Sequence, residues 1–178
     1  MDVPLSALMK RLLREQGLAF VATVNADGTP NLSPKGTTTV WDATHLVFAD
    51  LASPGTVRNL KRDPRAEVNV VDPILRKGWR FRVRAEVVQR GPRFAAGVRF
   101  FSRQDVEDAP KRIRTIVFLR VLEALPLVSP AYSRGWTEES LRKKWGRHYE
   151  RLIRRPPHRA ARRSVPRTPN NRAGRERR

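Results

Sequence analysis

From Trp79 to Val87, apolar residues hold every odd position (Trp79, Phe81, Val83, Ala85, Val87), while Arg80, Arg82, Arg84 and Glu86 hold the even ones. Wound as a helix, this run would spread its charges around the whole circumference. Extended, it turns one face to a core and the other to water. A strand solvated on one face belongs to an antiparallel sheet, because the strands of a doubly wound parallel sheet are covered on both sides. The rest of the chain agrees: strand and helix patterns do not alternate, and there is no G-x-G-x-x-G, G-x-x-x-x-G-K-[ST] or G-x-S-x-G string. Dinucleotide-binding α/β folds, P-loop nucleotide hydrolases and nucleophile-elbow hydrolases are thereby excluded.

The flanking segments supply further short elements. Leu5, Leu8, Met9 and Leu12 share one helical face that ends at Gly17. Leu18–Asn25 reads as a strand, Asp27-Gly28 and Thr29-Pro30 as a turn, and Asn31–Ser33, Thr37–Trp41 and His45–Asp50 as three more strands. Ser53, Pro54, Val57 and Leu60 have the grammar of a helix stopped at Pro64, and a strand follows at Ala66–Asp72. A helix over Arg93–Arg103 precedes a strand at Ile113–Leu122. Pro126 and Pro130 bracket a loop, and Thr137 caps a last helix that carries Leu141, Trp145, Tyr149 and Leu152 on one face. Six or seven short antiparallel strands with two or three peripheral helices predict a mainly β fold, a small barrel.

Among 178 residues there is no cysteine, which removes disulfides, thiolate zinc sites, iron–sulfur clusters and cysteine nucleophiles, and fits a reducing compartment. The three histidines, His45, His148 and His158, have no metal-ligand spacing, so no metal site is expected. The formal charge is +20, and half of it falls between 151 and 178, where eleven arginines meet one glutamate. The barrel domain is expected to span 1–153, and a disordered Arg- and Pro-rich tail 154–178. Such a tail suits non-specific contact with nucleic acid, although no aromatic residue stands among its arginines to stack on bases. No apolar run is long enough for a membrane span, and the amino-terminal pattern lacks the apolar centre of a signal peptide, so a cytoplasmic location is expected.

Two features point to an anionic ligand. Ser53-Pro54-Gly55-Thr56 opens a helix, where unpaired N–H groups and the positive end of the dipole favour a phosphate; alternatively, Ser53 only caps the helix. Arg80, Arg82 and Arg84 lie on one strand face about 7 Å apart, and such a row is either solvated or meets an anion. Lys35 and Arg58 are further phosphate candidates.

The run from Asn25 to Asp72 (NADGTPNLSPKGTTTVWDATHLVFADLASPGTVRNLKRDPRAEVNVVD), followed by GWRFRVRAEVV, resembles the pyridoxamine 5'-phosphate oxidase-like family of flavin-binding split barrels. The resemblance covers roughly Leu18 to Val88, and more loosely the strand Ile113–Leu122. It implies a six- to seven-stranded antiparallel split barrel and a homodimer with FMN, or a deazaflavin coenzyme, at the subunit interface. Ser33, Lys35, Thr37, Thr38 and Thr39 would be polar contacts along the ring and ribityl chain. Asp50, Ser53, Thr56 and Asn59 correspond to the family's phosphate-holding strand end and helix start, and Trp79 and Arg80 to the stretch that reaches the flavin from the second subunit.

The chain also departs from the vitamin-synthesising members. Their phosphate-gripping Arg-Lys pair falls on Gly55 and Thr56, the Arg and Lys of their earlier strand fall on Pro34 and Thr39, and their carboxy-terminal substrate motif is not recognisable. The expected function is therefore that of an FMN-dependent oxidoreductase transferring hydride to or from a small molecule other than pyridoxamine phosphate, with no catalytic side chain assigned. The alternatives are a deazaflavin-dependent reductase, or a non-catalytic flavin or haem binder with a polyanion-binding tail.

Overall fold

The computed structural model describes residues 3–104 and 108–155. The expectation of a disordered tail therefore falls almost wholly outside the described residues. Seven strands form one antiparallel sheet: β1 (Ala19–Val24), β2 (Pro30–Lys35), β3 (Thr39–Val40), β4 (His45–Asp50), β5 (Arg65–Asp72), β6 (Lys77–Val88) and β7 (Thr115–Val128). Their spatial order is β2-β1-β5-β6-β7-β4-β3. The two edge strands, β2 and β3, are joined by residues 36–38 alone, so the sheet must curl until its edges nearly meet, as a split barrel does. The Thr37 hydroxyl stitches this seam, donating to the Ala49 carbonyl at 2.9 Å and accepting from the Ala49 N–H at 3.1 Å.

Inside the curl, the odd-numbered residues of β6 do what the alternation requires. Phe81 and Val83 are fully buried with Val21, Leu46, Phe48, Val68 and Leu119. Helix α1 (Ala7–Gln16) adds Met9 and Leu13 to this core, and Gly17 ends it in the left-handed conformation at φ 57°. Burying the four phenylalanines at 48, 81, 101 and 118 contributes about 1.5–3 kcal/mol each.

A second core lies on the other side of the sheet. Helix α3 (Pro92–Ser102) lays Phe101 over Val47, Ile116 and Phe118, so β4 and the start of β7 are covered on both faces. The unbroken apolar runs Leu46–Ala49 and Ile116–Leu119 carry this signal in the sequence. Gly97 permits the close approach, because a Cβ there would stand 2.8 Å from Ile116 Cγ1. The remaining helices are α2 (Pro54–Arg62), the short α4 (Ala109–Arg112) and α5 (Glu138–Ile153).

Two expectations need correction. Pro126 does not open a loop: β7 continues to Val128, with Pro126 opposite Trp79. Pairing with β4 ends at Arg120, so beyond it β7 has an open side where a residue without an N–H costs no ladder bond. The third strand is shorter than Thr37–Trp41, comprising Thr39–Val40, because Thr37 reaches β4 through its side chain instead of its backbone. The extra residue in β7 opposite Arg82/Val83 makes a bulge, which lets β7 bend with the barrel.

Candidate functional site

Beside the seam, the end of β2, the end of β4 and the start of α2 converge. Lys35 closes β2 and is only 4% exposed. Its ammonium donates to Ser33 Oγ, and to Ser53 Oγ at 2.9 Å. Burial pushes the Lys35 ammonium below the ordinary lysine range, and the nearby Asp50 carboxylate partly offsets this. Asp50, itself buried, accepts the Ser53 N–H at 2.7 Å and so fixes the entry into α2. No carboxylate lies within ion-pair distance of the Lys35 nitrogen among the described residues.

Ser53 stands at the N-cap, but its side chain makes no capping bond and has turned to Lys35. Pro54 has no N–H to donate, so the Gly55 and Thr56 N–H groups are what the helix start presents. A Cβ on Gly55 would meet nothing within 4 Å, so the space in front of it is open. A buried cation, two hydroxyls and an uncapped helix start together form a seat for a dianion.

The Lys35-to-Thr38 turn leads from this seat into a cavity of about 700 Å³ against the ends of α1 and α3. Thr38 and Thr39 line it, with Lys10 and Arg14 on one wall and Trp41 and Phe100 on another. The Trp41 and Phe100 rings are 5.0 Å apart, centre to centre. Thr38 is 2% exposed, and its hydroxyl is buried with no hydrogen-bond partner among the described residues.

The sequence-expected residues thus divide. Ser33, Lys35, Ser53 and Asp50 are joined by hydrogen bonds, with Thr56 on the same helix start; Thr37, Thr38 and Thr39 line the adjoining cavity, the Thr37 hydroxyl being engaged in the seam. Asn59 is drawn beneath α2, where its amide donates to Thr23 Oγ1 at 3.1 Å and Asn25 Oδ1 at 2.9 Å, locking α2 to β1. Trp79 lies far along β6 among Leu8, Leu12 and Pro126.

The arginine row is neutralised at Arg82, while Arg80 keeps a buried Nε without a hydrogen bond and Arg84 is in no ion pair among the described residues. Arg82 lies between Glu67 at 3.1 Å and Glu123 at 2.8 Å on the two neighbouring strands, and Arg80 Nε is 3.8 Å from Glu67. What sequence reading missed is the second part of the lining, Lys10, Arg14 and Phe100. Lys10 and Arg14 lie off the apolar face that the sequence marks on the first helix, and the sequence reading assigns no face to the helix over Arg93–Arg103 that carries Phe100.

A family model described as pyridoxamine 5'-phosphate oxidase matches residues 5–124. Among solved structures, HupZ of Group A Streptococcus is 27% identical with a TM-score of 0.62, over 70% of this chain and 94% of that one. An F420 reductase is 23% identical with a TM-score of 0.53, over 65% of this chain and 94% of that one. An FMN-binding protein from Syntrophomonas wolfei is 16% identical with a TM-score of 0.56, over 68% and 84% respectively. The last two likenesses speak for the fold. No curated protein matches at the sequence level.

Proposed function

The chain belongs to the pyridoxamine 5'-phosphate oxidase family, and on that premise we propose that it binds FMN through its phosphate at Lys35, Ser33, Ser53 and the start of α2, and works as an oxidoreductase on a small molecule. The observation that carries this reading is the buried Lys35 ammonium, held by two hydroxyls beside an uncapped helix start. An anion there would give the ammonium a charged acceptor in place of neutral hydroxyls. The Trp41–Phe100 wall suits a flat ring in the adjoining cavity. When bound, a flavin supplies hydride chemistry from its own ring, so the protein's work is to hold the ring and exclude water.

A deazaflavin coenzyme is the second reading. Lys10 and Arg14 favour it, being two cations on the cavity wall suited to a longer anionic chain. Homodimerisation across the seam is part of the proposal: Phe20, Val24 and Leu32 stand 43%, 45% and 65% exposed on the outer face of β1 and β2, and a partner covering them would bring its own Trp79 and Arg80 region within reach.

The absorption spectrum and mass of the small molecule retained on purification test the reading. The oxidised-flavin bands and the mass of FMN are expected, and both should be lost in Thr56→Glu, whose carboxylate would occupy the anion seat. Protein that retains neither compound and takes up neither FMN nor the deazaflavin on addition refutes it.

A further inference from the structure

The family match stops at residue 124, yet the chain continues through the end of β7, a one-turn 3-10 helix (Tyr132–Arg134) and α5. This segment is fastened to the barrel. The Tyr132 hydroxyl donates to the Leu75 carbonyl at 2.7 Å, Lys77 pairs with Glu138 at 2.7 Å, and Leu141 is buried. Thr137 caps α5 by accepting the Ser140 N–H, as its position predicts.

Between residues 142 and 155 there are seven lysines and arginines and one glutamate. Lys143, Arg147, Arg151 and Arg154 recur at steps of four, four and three, so they form one stripe about 16 Å long with neighbours about 6 Å apart. All four are exposed, and none is in an ion pair with a carboxylate among the described residues. They line a groove of about 670 Å³ that meets, at Lys144, a cleft of about 410 Å³ holding Arg76, Arg134, Trp136 and Trp145. The Arg76 guanidinium stacks 3.8 Å from the centre of the Trp145 ring, and Lys144 stands 4.6 Å from that of Trp136. Trp136 is 38% exposed.

We propose that this groove binds single-stranded nucleic acid, the cation stripe following the phosphates and Trp136 stacking on a base. A backbone of regularly spaced anions matches a row of regularly spaced cations in which Glu150 is outnumbered by Lys143, Lys144, Arg147, Arg151 and Arg154, and an exposed indole beside them gives a base its platform. An anionic membrane is the less suitable occupant. It would take the apolar face of a basic helix, and here Leu141 is buried and Trp145 lies under Arg76, which leaves Leu152 and Ile153 at the end of α5, 43% and 82% exposed, as a small apolar surface for a bilayer. The Arg-rich residues beyond 155 lack aromatics, so the groove supplies what the tail does not.

The test is fluorescence anisotropy of a labelled twenty-nucleotide oligouridylate with the full chain across a salt series. Three proteins are compared: wild type, the triple variant Lys143→Ala/Arg147→Ala/Arg151→Ala, and Trp136→Ala. All the altered side chains are exposed, and unchanged melting curves verify the fold. Removing three phosphate contacts should flatten the log–log salt slope by about 2. Trp136→Ala should leave the slope alone and weaken binding by about 5- to 100-fold. A duplex of matching length should bind less tightly, because its bases are already stacked. Wild-type affinity and slope in the triple variant would overturn the proposal. So would tighter association with phosphatidylserine vesicles than with the oligonucleotide at equal salt, or equal duplex binding with Trp136→Ala silent.

Discussion

Replacing Lys35 with Met tests the anion seat directly, because it removes a charge and leaves the stem. The Lys35 side chain runs past Phe48, its ammonium 5.8 Å from the ring centre, and ends on Ser33 and Ser53. A methionine fills the same path and keeps that packing. The ligand loses a hydrogen bond from a charged donor, about 1.5–3 kcal/mol, which corresponds to roughly 10- to 100-fold in dissociation constant. Quenching of flavin fluorescence measures this for FMN and, in parallel, for riboflavin, which has the same ring and ribityl chain but no phosphate. If Lys35 holds the phosphate, FMN binding weakens by that factor while riboflavin binding stays within about twofold, the ordinary additivity error. Equal losses for the two ligands would make Lys35 a packing residue. An unchanged FMN affinity would place the phosphate elsewhere and refute the assignment of the seat.

Further outcomes follow from the same geometry. Burial holds the Lys35 pKa below its ordinary 10.5, so its folded form releases the proton first. Stability should therefore rise with pH between the lowered value and 10.5, while FMN affinity falls over that window, and Lys35→Met should flatten the affinity profile. An affinity that holds constant to pH 10.5 in the wild type would contradict this. Gly78→Ala would set its Cβ 2.2 Å from the Val70 carbonyl oxygen, a backbone atom that no rotamer moves, so the loss by chemical denaturation should exceed the about 1–3 kcal/mol usual for overpacking. Gly97→Ala meets only the Ile116 side chain and should stay within that range. Leu32→Asp, on the exposed β1–β2 face, should shift the sedimentation profile from dimer to monomer and reduce FMN retention with it; a dimer that persists would put the interface on another face.

Much of this protein was written locally. The nine-residue alternation at Trp79–Val87 determined a half-solvated antiparallel strand, because side-chain direction in a strand depends only on parity. The Ser-Pro-Gly-Thr turn marked the start of α2 and Gly17 the end of α1, since caps and left-handed stops are properties of a few neighbouring residues. The family was legible in the order of these motifs. The partners of the charges were not. Only the register of β5, β6 and β7 set Arg82 between Glu67 and Glu123 and so neutralised the middle of the row that first suggested an anion site.

The folded seam was likewise needed to bury Lys35 and draw Ser53 away from its cap, which brings a buried cation beside the start of α2 as the proposed anion seat requires. In the same way, Pro126 could remain in a strand because β4 ends before reaching it. Asn59 shows the converse, a residue placed at the phosphate by its position in the chain and claimed instead by Thr23 and Asn25. Periodicity and caps are fixed within a turn or two of chain. Burial, pairing and neutralisation depend on groups tens of residues away, and only the closed sheet decides which of them meet.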